Sequence, residues 1–285
     1  MPSEIMSHPR CTLGEGPIWH PTQQRFYWVD IPEKRLYCQS SELKFWQFEQ
    51  MPSAIAWVDE QWIVIAMESG LYRFDSLSDS TDLSLLVAFD HDSQQYRSND
   101  GRADPWGGFW ISTLSLDEIQ GEGKIYRFYQ GKLQLIVDGL TIPNGICFSA
   151  DKQWGYYADS PSSKIYRVKL NPDDGSFLES AQVFVDRSEE QLIPDGAIID
   201  ANNQLWTTHW GSSEIVCYSS DGQLIKTIKT DAIQPTCPAF GGNNLQDLFV
   251  TSASIGLNER CTQADGQVLK LFDCGQGKPE PALQL

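Results

Sequence analysis

The sequence has few basic residues. It contains 21 Lys and Arg against 38 Asp and Glu in 285 residues, and 21 − 38 gives a formal net charge of −17. A chain this acidic repels phosphate backbones and anionic membrane surfaces, so nucleic acid and membranes are excluded as expected partners. Cations are the partners that such a charge balance favours.

Long apolar runs are also missing. No stretch approaches the ~18 apolar residues of a membrane span, and Glu4 and Arg10 lie where a secretion signal would need an apolar core. The seven cysteines form no C-x-x-C pair and the four histidines are scattered, which argues against a disulfide framework and a His-based zinc site. We expect a cytoplasmic protein that is a monomer or a weak homodimer.

The motifs of several common enzyme classes are absent too. The sequence has no G-x-S-x-G elbow, no phosphate-binding G-x-x-x-x-G-K-[ST] loop and no G-x-G-x-x-G after a strand, which excludes the machinery of serine hydrolases and nucleotide-binding enzymes. No window sustains the 3.6-residue period of a long amphipathic helix. Short alternating runs, rich in the 10 Trp, 10 Tyr and 13 Phe, indicate an all-β chain instead.

One unit recurs along the chain. A small residue follows a polar residue or proline, and three further short apolar runs come after it. The small residues are separated by 38, 47, 44, 51 and 43 residues, which are spacings typical of four-stranded propeller blades. These anchor residues are Gly16, Ala54, Gly101, Gly145, Gly196 and Ala239.

Six such repeats predict a single domain over residues 1–285, a six-bladed β-propeller with four-stranded antiparallel blades around a central channel. A two-sheet sandwich is the less favoured alternative, because it gives no reason for the repetition. The last blade needs an outer strand from elsewhere in the chain. We expect the N-terminal segment to supply it through 11–13, with 281–285 as the alternative.

The chemistry is expected just before the anchors. Four of these positions carry a carboxylate or amide oxygen, namely Glu15, Asn99 with its neighbour Asp100, Asn144 and Asp195. The same position of each inner strand faces the axial channel of a propeller, so these residues should converge although they are remote in sequence. Two carboxylates and two amides form an oxygen-rich site that favours one hard divalent cation, Ca²⁺ before Mg²⁺, Mn²⁺ or Zn²⁺. The alternative is that these are ordinary turn residues.

At these residues the sequence resembles a known family, that of regucalcin (senescence marker protein), gluconolactonase and luciferin-regenerating enzyme. The resemblance spans nearly the whole chain. It is carried by LGEGPIWHP at 13–21, RSNDGRADPWG at 97–107, IPNGICFSADKQWGYYADS at 142–160 and IPDGAIIDANNQLW at 193–206.

The resemblance implies a function and its residues. It implies that Glu15, Asn144 and Asp195 bind one divalent metal, that Arg97 and Asn99 approach the substrate, and that the reaction is hydrolysis of a sugar lactone. Where relatives resembling animal regucalcin carry a pair of glutamates after the third blade's second strand, this chain has T-L-S-L-D. Asp117 is therefore expected to replace a substrate-contacting glutamate, with a shorter reach.

These residue types suggest a mechanism. Asp195 is the expected general base, and the metal would act as a Lewis acid on the lactone carbonyl. Arg97 can pair with sugar hydroxyls, or it can form a salt bridge with Asp100 or Asp104. Of the histidines, His209 alone could touch substrate, although a structural role is favoured.

Two other functions stay open from the sequence. A propeller that binds calcium without catalysis would need the same oxygen ligands, and a metal-dependent phosphotriester or aryl-ester hydrolase could use the same site. Arg97 beside the oxygen cluster favours an enzyme, because a simple calcium buffer has no use for a cation next to its metal.

Overall fold

Six separate sheets of four antiparallel strands make up the described part of the chain. The structure is a computed structural model that describes residues 3–6 and 9–285; residues 1–2 and 7–8 lie outside the described residues. The sheets form a ring with almost no helix, which confirms the six-bladed β-propeller. Within these described ranges, short 3₁₀ helices occur at Ser160–Ser162 and Asn258–Arg260.

Strand β1 is Ser3–Ile5, and the other strands follow blade by blade. Blade 1 contains β2 Gly14–His20, β3 Arg25–Asp30, β4 Arg35–Gln39 and β5 Leu43–Gln47. Blade 2 contains β6 Pro52–Trp57, β7 Trp62–Met67, β8 Gly70–Asp75 and β9 Leu83–Ala88. Blade 3 contains β10 Tyr96–Ala103, β11 Phe109–Ser115, β12 Gly123–Tyr129 and β13 Lys132–Leu140.

The other three blades repeat this plan. Blade 4 contains β14 Pro143–Phe148, β15 Trp154–Asp159, β16 Lys164–Lys169 and β17 Gln182–Asp186. Blade 5 contains β18 Ile193–Ile199, β19 Leu205–Trp210, β20 Glu214–Tyr218 and β21 Leu224–Lys229. Blade 6 contains β22 Pro235–Gly241, β23 Asp247–Ser252, β24 Leu269–Leu271 and, at its outer edge, β1.

Burial decreases from the axis outward, and the sequence pattern follows it. The inner strand β14 is buried at every position, whereas the third strand β12 alternates and the outer strand β13 is mostly exposed. An inner strand is covered on both faces, so its sequence is a continuous run of apolar or small residues. An outer strand has one face in contact with solvent, so its sequence includes polar residues. The apolar core lies between neighbouring blades, as where Tyr27 and Leu36 of blade 1 pack in one cluster with Ile63 and Phe74 of blade 2.

The ring is closed by an N-terminal strand, although the expected segment was wrong. Ser3–Ile5 pairs with β24, with Ser3 opposite Leu271 and Ile5 opposite Leu269. Residues 11–13 instead lead into blade 1, because the Asp30 carboxylate accepts hydrogen bonds from the backbone N–H groups of Thr12 (2.9 Å) and Leu13 (3.1 Å). Residues 281–285 form no strand.

The C-terminal strap, residues 274–285, lies across the end of the ring where the inner strands finish. Backbone hydrogen bonds of 2.7–2.9 Å join it to Ala201 of blade 5, Leu245 of blade 6, Trp57 of blade 2 and Gly107 of blade 3. It thereby ties together blades that are not neighbours in sequence. Over the described ranges, no helix is long and apolar enough to span a membrane.

Candidate active site

Every inner strand has a break in its register next to an anchor residue. A β-bulge of this kind turns one side chain away from the regular alternation of the strand, here toward the axis. The breaks lie between Glu15 and Ile18, Pro52 and Ala54, Ser98 and Gly101, Asn144 and Cys147, Pro194 and Ala197, and Pro235 and Pro238. The repeated sequence unit is therefore a repeated bulge.

Glycine is needed at two of these bulges. Gly16 and Gly145 have φ values of +55° and +64°. Any residue that carries a Cβ atom adopts this backbone region only at a cost in stability, whereas glycine adopts it freely. Each follows one of the predicted ligands, Glu15 or Asn144. The local sequences Glu-Gly and Asn-Gly therefore do two things, since the first residue supplies an oxygen and the second permits the backbone that aims it.

The three predicted metal ligands meet at one cavity of about 350 Å³ where the inner strands begin. This volume lies within the range of small-molecule sites. The cavity has both polar and apolar lining residues. Its lining residues are Leu13, Glu15, Arg97, Asn99, Glu118, Ile142, Asn144, Ser160, Pro161, Ile193, Asp195 and Trp210.

A chain of hydrogen bonds joins three blades around the cavity. The Arg97 guanidinium donates to Asn99 Oδ1 at 2.8 Å, and Asn99 Nδ2 donates to Asn144 Oδ1 at 2.7 Å. Asn144 Nδ2 then donates to the Ser160 hydroxyl at 2.9 Å, which donates to the Pro194 carbonyl at 2.7 Å. The chain ends next to Asp195 and fixes the orientation of both amide groups. The alternative of an Arg97 salt bridge with Asp104 is wrong, because Asp104 pairs with Arg127.

The carboxylates of the cavity are crowded and buried. Burial raises the pKa of Glu15 well above its usual range, and the charges of Asp195 and Asp100 raise it further. Burial followed by the Asp100 charge likewise raises the pKa of Asp195, against the opposing charge of Arg97. Burial lowers the pKa of Arg97, although Glu15, Glu118 and Asp195 counteract this. Like charges held this closely in a dry site are stabilised by a cation.

The third blade contributes a different acid from the one predicted. Asp117 is exposed and does not line the cavity, whereas its neighbour Glu118 does. Glu118 has a φ of +52°, and its backbone N–H donates to the Ser115 carbonyl at 2.9 Å, so the chain turns sharply after β11. This turn presents the second acid of the Asp-Glu pair to Arg97. The two adjacent acids were visible in the sequence, but the backbone conformation that selects one of them was not.

Other lining residues were not predicted from the sequence. Ser160 follows β15 and bridges Asn144 to blade 5, and Trp210, the last residue of β19, also lines the cavity. His209, the histidine that could have touched substrate, is 1% exposed and does not line the cavity. Its Nδ1 lies 3.6 Å from a Glu214 carboxylate oxygen, and burial lowers its pKa to about 4, as for a neutral structural histidine.

The donor set fits a divalent cation with few protein ligands. The described ranges contain no group of three or more His, Cys, Asp or Glu side chains placed to hold a metal. The candidate set instead combines two carboxylates, Glu15 and Asp195, with the amide oxygen of Asn144. All three are oxygen donors, as hard cations prefer, and two mutually repelling carboxylates supply the negative charge.

Fold and cavity together define a six-bladed β-propeller with an oxygen-lined axial site. The family described as SMP-30/Gluconolactonase/LRE-like region matches residues 13–254. The chain belongs to this family, as the resemblance predicted.

Three relatives show how closely the chain follows the family. Pentonolactonase of Haloferax volcanii is 30% identical over 95% of this chain and 94% of its own. The crystal structure of a calcium-binding protein, regucalcin, from Agrobacterium tumefaciens has a TM-score of 0.94 and 31% identity, and covers 99% of this chain and 97% of its own. A luciferin-regenerating enzyme has a TM-score of 0.92 and 25% identity, with 99% of each chain covered.

Proposed function

We propose that the protein hydrolyses sugar lactones to aldonic acids in a reaction that depends on one divalent metal, with Ca²⁺ favoured and Mg²⁺, Mn²⁺ or Zn²⁺ as alternatives. The observation that carries the proposal is the meeting of Glu15, Asn144 and Asp195 with Arg97 and Asn99 around one cavity of about 350 Å³. The lactonase named among the relatives of similar length supports it. A substrate of this class is a small polar ring, which matches the cavity's size.

Glu15, Asn144 and Asp195 would hold the metal. When bound, such an ion supplies Lewis-acid stabilisation for the negative charge that develops on the lactone carbonyl oxygen. The bulges hold the three oxygen donors on separate strands of a rigid ring, so the site is preorganised before any ligand enters.

The chain's own residues bind and orient the substrate. Arg97 presents a guanidinium that can donate to sugar hydroxyls, and its hydrogen bond to Asn99 fixes its direction. Glu118, in the same blade as Arg97, can accept a hydrogen bond from a sugar hydroxyl. Trp210 and the apolar collar around it, Leu13, Ile142, Pro161 and Ile193, can pack on the C–H face of the ring and exclude water.

Asp195 is the proposed general base. Its carboxylate lies in the cavity wall, where it can take a proton from the attacking water and return it to the ring oxygen as the lactone opens. Asp195→Asn should therefore remove nearly all turnover while the fold remains. The matched control is Asp221→Asn on an exposed turn of the same blade, which should leave turnover unchanged.

The test measures acid release from glucono-, galactono- and xylono-lactone in a pH-stat. We expect release with at least one lactone, its loss after treatment with a chelator, and its return when calcium, magnesium, manganese or zinc is added. No release from any lactone in the presence of all four metals would contradict the proposal.

A calcium-binding propeller without catalysis is the second candidate. It is favoured by the structural relative described as a calcium-binding protein. Calorimetry that shows calcium binding in a protein inactive on every lactone would support this candidate. Hydrolysis of aryl esters or phosphotriesters in place of lactones would instead support the third candidate, a metal-dependent phosphotriester or aryl-ester hydrolase.

We also propose that the protein acts in the cytoplasm. Five cysteines of the described part of the chain are buried free thiols, namely Cys11, Cys38, Cys147, Cys217 and Cys237. Free thiols are typical of a reducing compartment.

A further inference from the structure

Arg102 lies in the channel beneath the cavity and contacts three different parts of the ring. It belongs to β10, the inner strand of blade 3, and it is 7% exposed. Its Nε donates to the Ile146 carbonyl at 3.1 Å, its Nη2 donates to the Ala197 carbonyl at 3.2 Å, and its Nη1 donates to the Glu280 carboxylate at 2.5 Å. One buried side chain thus connects blades 3, 4 and 5 and the C-terminal strap.

The two carbonyls that Arg102 contacts belong to residues close in sequence to proposed metal ligands. Ile146 and Ala197 each come two residues after a proposed metal ligand, Asn144 or Asp195, and both lie where the register of their strand breaks. The same strand of blade 3 also holds the backbone N–H of Ile146, which donates a hydrogen bond of 2.7 Å to Asp100 Oδ2. Blade 3 therefore fixes both the N–H and the C=O of the residue that ends the Asn144 bulge.

Glu280 determines where the guanidinium points. It lies in the strap, and the side chains of Glu280 and Arg102 are both 9% exposed. The Glu280 backbone is held in turn, since its carbonyl accepts a hydrogen bond from Trp57 Nε1 at 2.9 Å. The pocket beside the pair is narrow, with a volume of about 10 Å³, which is room for about one water at most. Each of the three nitrogens of the Arg102 guanidinium has its own hydrogen-bond partner, so the direction of the group is defined.

We propose that Glu280 and Arg102 are positioning residues, which hold the bulges of blades 4 and 5 so that Asn144 and Asp195 point at the same metal. This inference rests on the metal ligands of the proposed function. It assigns the strap a role in building the site at the opposite end of the channel. Neither residue touches substrate; both act through the backbone of the strands that carry the ligands.

The experiment titrates calcium, and separately manganese, into wild type and Glu280→Gln by calorimetry. Glu280→Gln keeps the size of the side chain but removes the charge that orients Arg102. We expect metal affinity to fall roughly 10-fold or more, as outer-shell substitutions commonly cause. Hydrogen exchange of the Ile146 amide should also become faster. Arg102→Lys, which keeps a charge but cannot reach two carbonyls at once, should give the same pair of changes.

Matched controls separate positioning from stability. Asp104→Asn breaks the other buried ion pair, in which Arg127 Nε lies 2.6 Å from Asp104 Oδ2 and which does not line the cavity. It should lower the melting temperature without changing metal affinity or Ile146 exchange. Glu280→Asp should recover part of the affinity, because it restores the charge.

Each result decides one claim. Unchanged affinity and unchanged Ile146 exchange in both Glu280→Gln and Arg102→Lys would overturn the inference, and so would an equal loss of affinity in Asp104→Asn. A wild-type protein that binds metal but opens no lactone would overturn the proposed activity. The metal affinities of wild type, Glu280→Gln and Arg102→Lys would still decide this inference. If wild type bound neither metal, the proposed ligand set would fail, and with it the claim that Glu280 and Arg102 position it.

Discussion

Asp117 and Glu118 are adjacent acids with different surroundings. Both side chains are exposed, but only Glu118 lines the cavity, where its charge acts on Arg97. The sequence predicted that an acid of this loop would reach the substrate, but it could not say which one. The choice depends on the left-handed backbone at Glu118, and a single residue with φ > 0 in a loop leaves no pattern in the sequence unless it is glycine or asparagine.

Glu118→Gln and Asp117→Asn therefore form a matched pair. Glu118→Gln removes a charged hydrogen-bond acceptor from the cavity, and the loss of one such bond costs about 1.5–3 kcal/mol, or roughly 10- to 100-fold in kcat/KM for the lactone. Asp117→Asn should leave kcat/KM within about twofold of wild type. In a steady-state assay, a larger loss in Asp117→Asn than in Glu118→Gln would show that the acids had been assigned the wrong way round, and equal effects would show that the cavity does not distinguish them.

His209 illustrates a residue whose burial matters for stability rather than for the site. Its neutral ring is enclosed in blade 5, and burial lowers its pKa to about 4 from an ordinary value of about 6.5. Between these values the unfolded chain binds a proton that the folded chain does not. The free energy of unfolding should consequently decrease as the pH falls from about 6.5 to about 4.

The size of this effect follows from the width of the interval. About 2.5 pKa units at ~1.36 kcal/mol each amount to about 3 kcal/mol lost at the acid end. Urea unfolding of wild type and His209→Gln at pH 7 and pH 4.5 measures it. The difference in stability between the two proteins should shrink toward acid pH. A difference that is independent of pH would mean that the pKa of His209 is the same in the folded and the unfolded protein.

At the scale of the strand, the sequence predicted where each inner strand bulges better than it predicted which other side chains line the cavity. The six anchors marked where each inner strand would bulge, because a bulge needs a small residue that lets the backbone turn and approach its neighbour. Glu15, Asn144 and Asp195 could be found this way. Ser160 and the apolar collar could not. Ser160 and Pro161 lie in the connection after β15, and the other members of the collar lie at or directly before the starts of inner strands, outside the anchor position that the repeat marks.

Gly145→Ala tests whether the bulge aims Asn144. At a φ of +64° a side chain costs about 1–3 kcal/mol of stability, and the added Cβ would lie 3.2 Å from the Asp195 carbonyl oxygen. We expect lower stability together with weaker metal binding and slower lactone hydrolysis. Gly139→Ala is the control, because Gly139 has a φ of +74° with no neighbouring atom within 4 Å of the new Cβ. It should lower stability alone. If both variants kept full metal affinity, the bulge would not set the ligand geometry.

At the scale of the whole molecule, the repeat predicted the number of blades but not how the ring closes. Closure depends on a pairing between strands at opposite ends of the chain, and β1 is only three residues long, too short for a periodic pattern. The segment 11–13 matched the spacing of an outer strand, but the Asp30 carboxylate holds it at the entrance of blade 1. Local pattern could not reveal this competition, since it is decided by one side chain 17 or 18 residues further along the chain.

Removal of residues 1–6 tests the closure. It deletes β1 and leaves the outer edge of β24 unpaired, with the loss of about three backbone hydrogen bonds at ~1 kcal/mol each. For a chain of this size we expect the melting temperature to fall by roughly 5–10 °C in a calorimetric scan, still in one cooperative transition if residues 1–285 form a single domain.

Glu4→Ala is the control, because it removes an exposed side chain and keeps the β1 backbone, so its melting temperature should not change. An unchanged melting temperature after the deletion would show that β1 does not stabilise the ring, and two separate transitions would contradict the single domain.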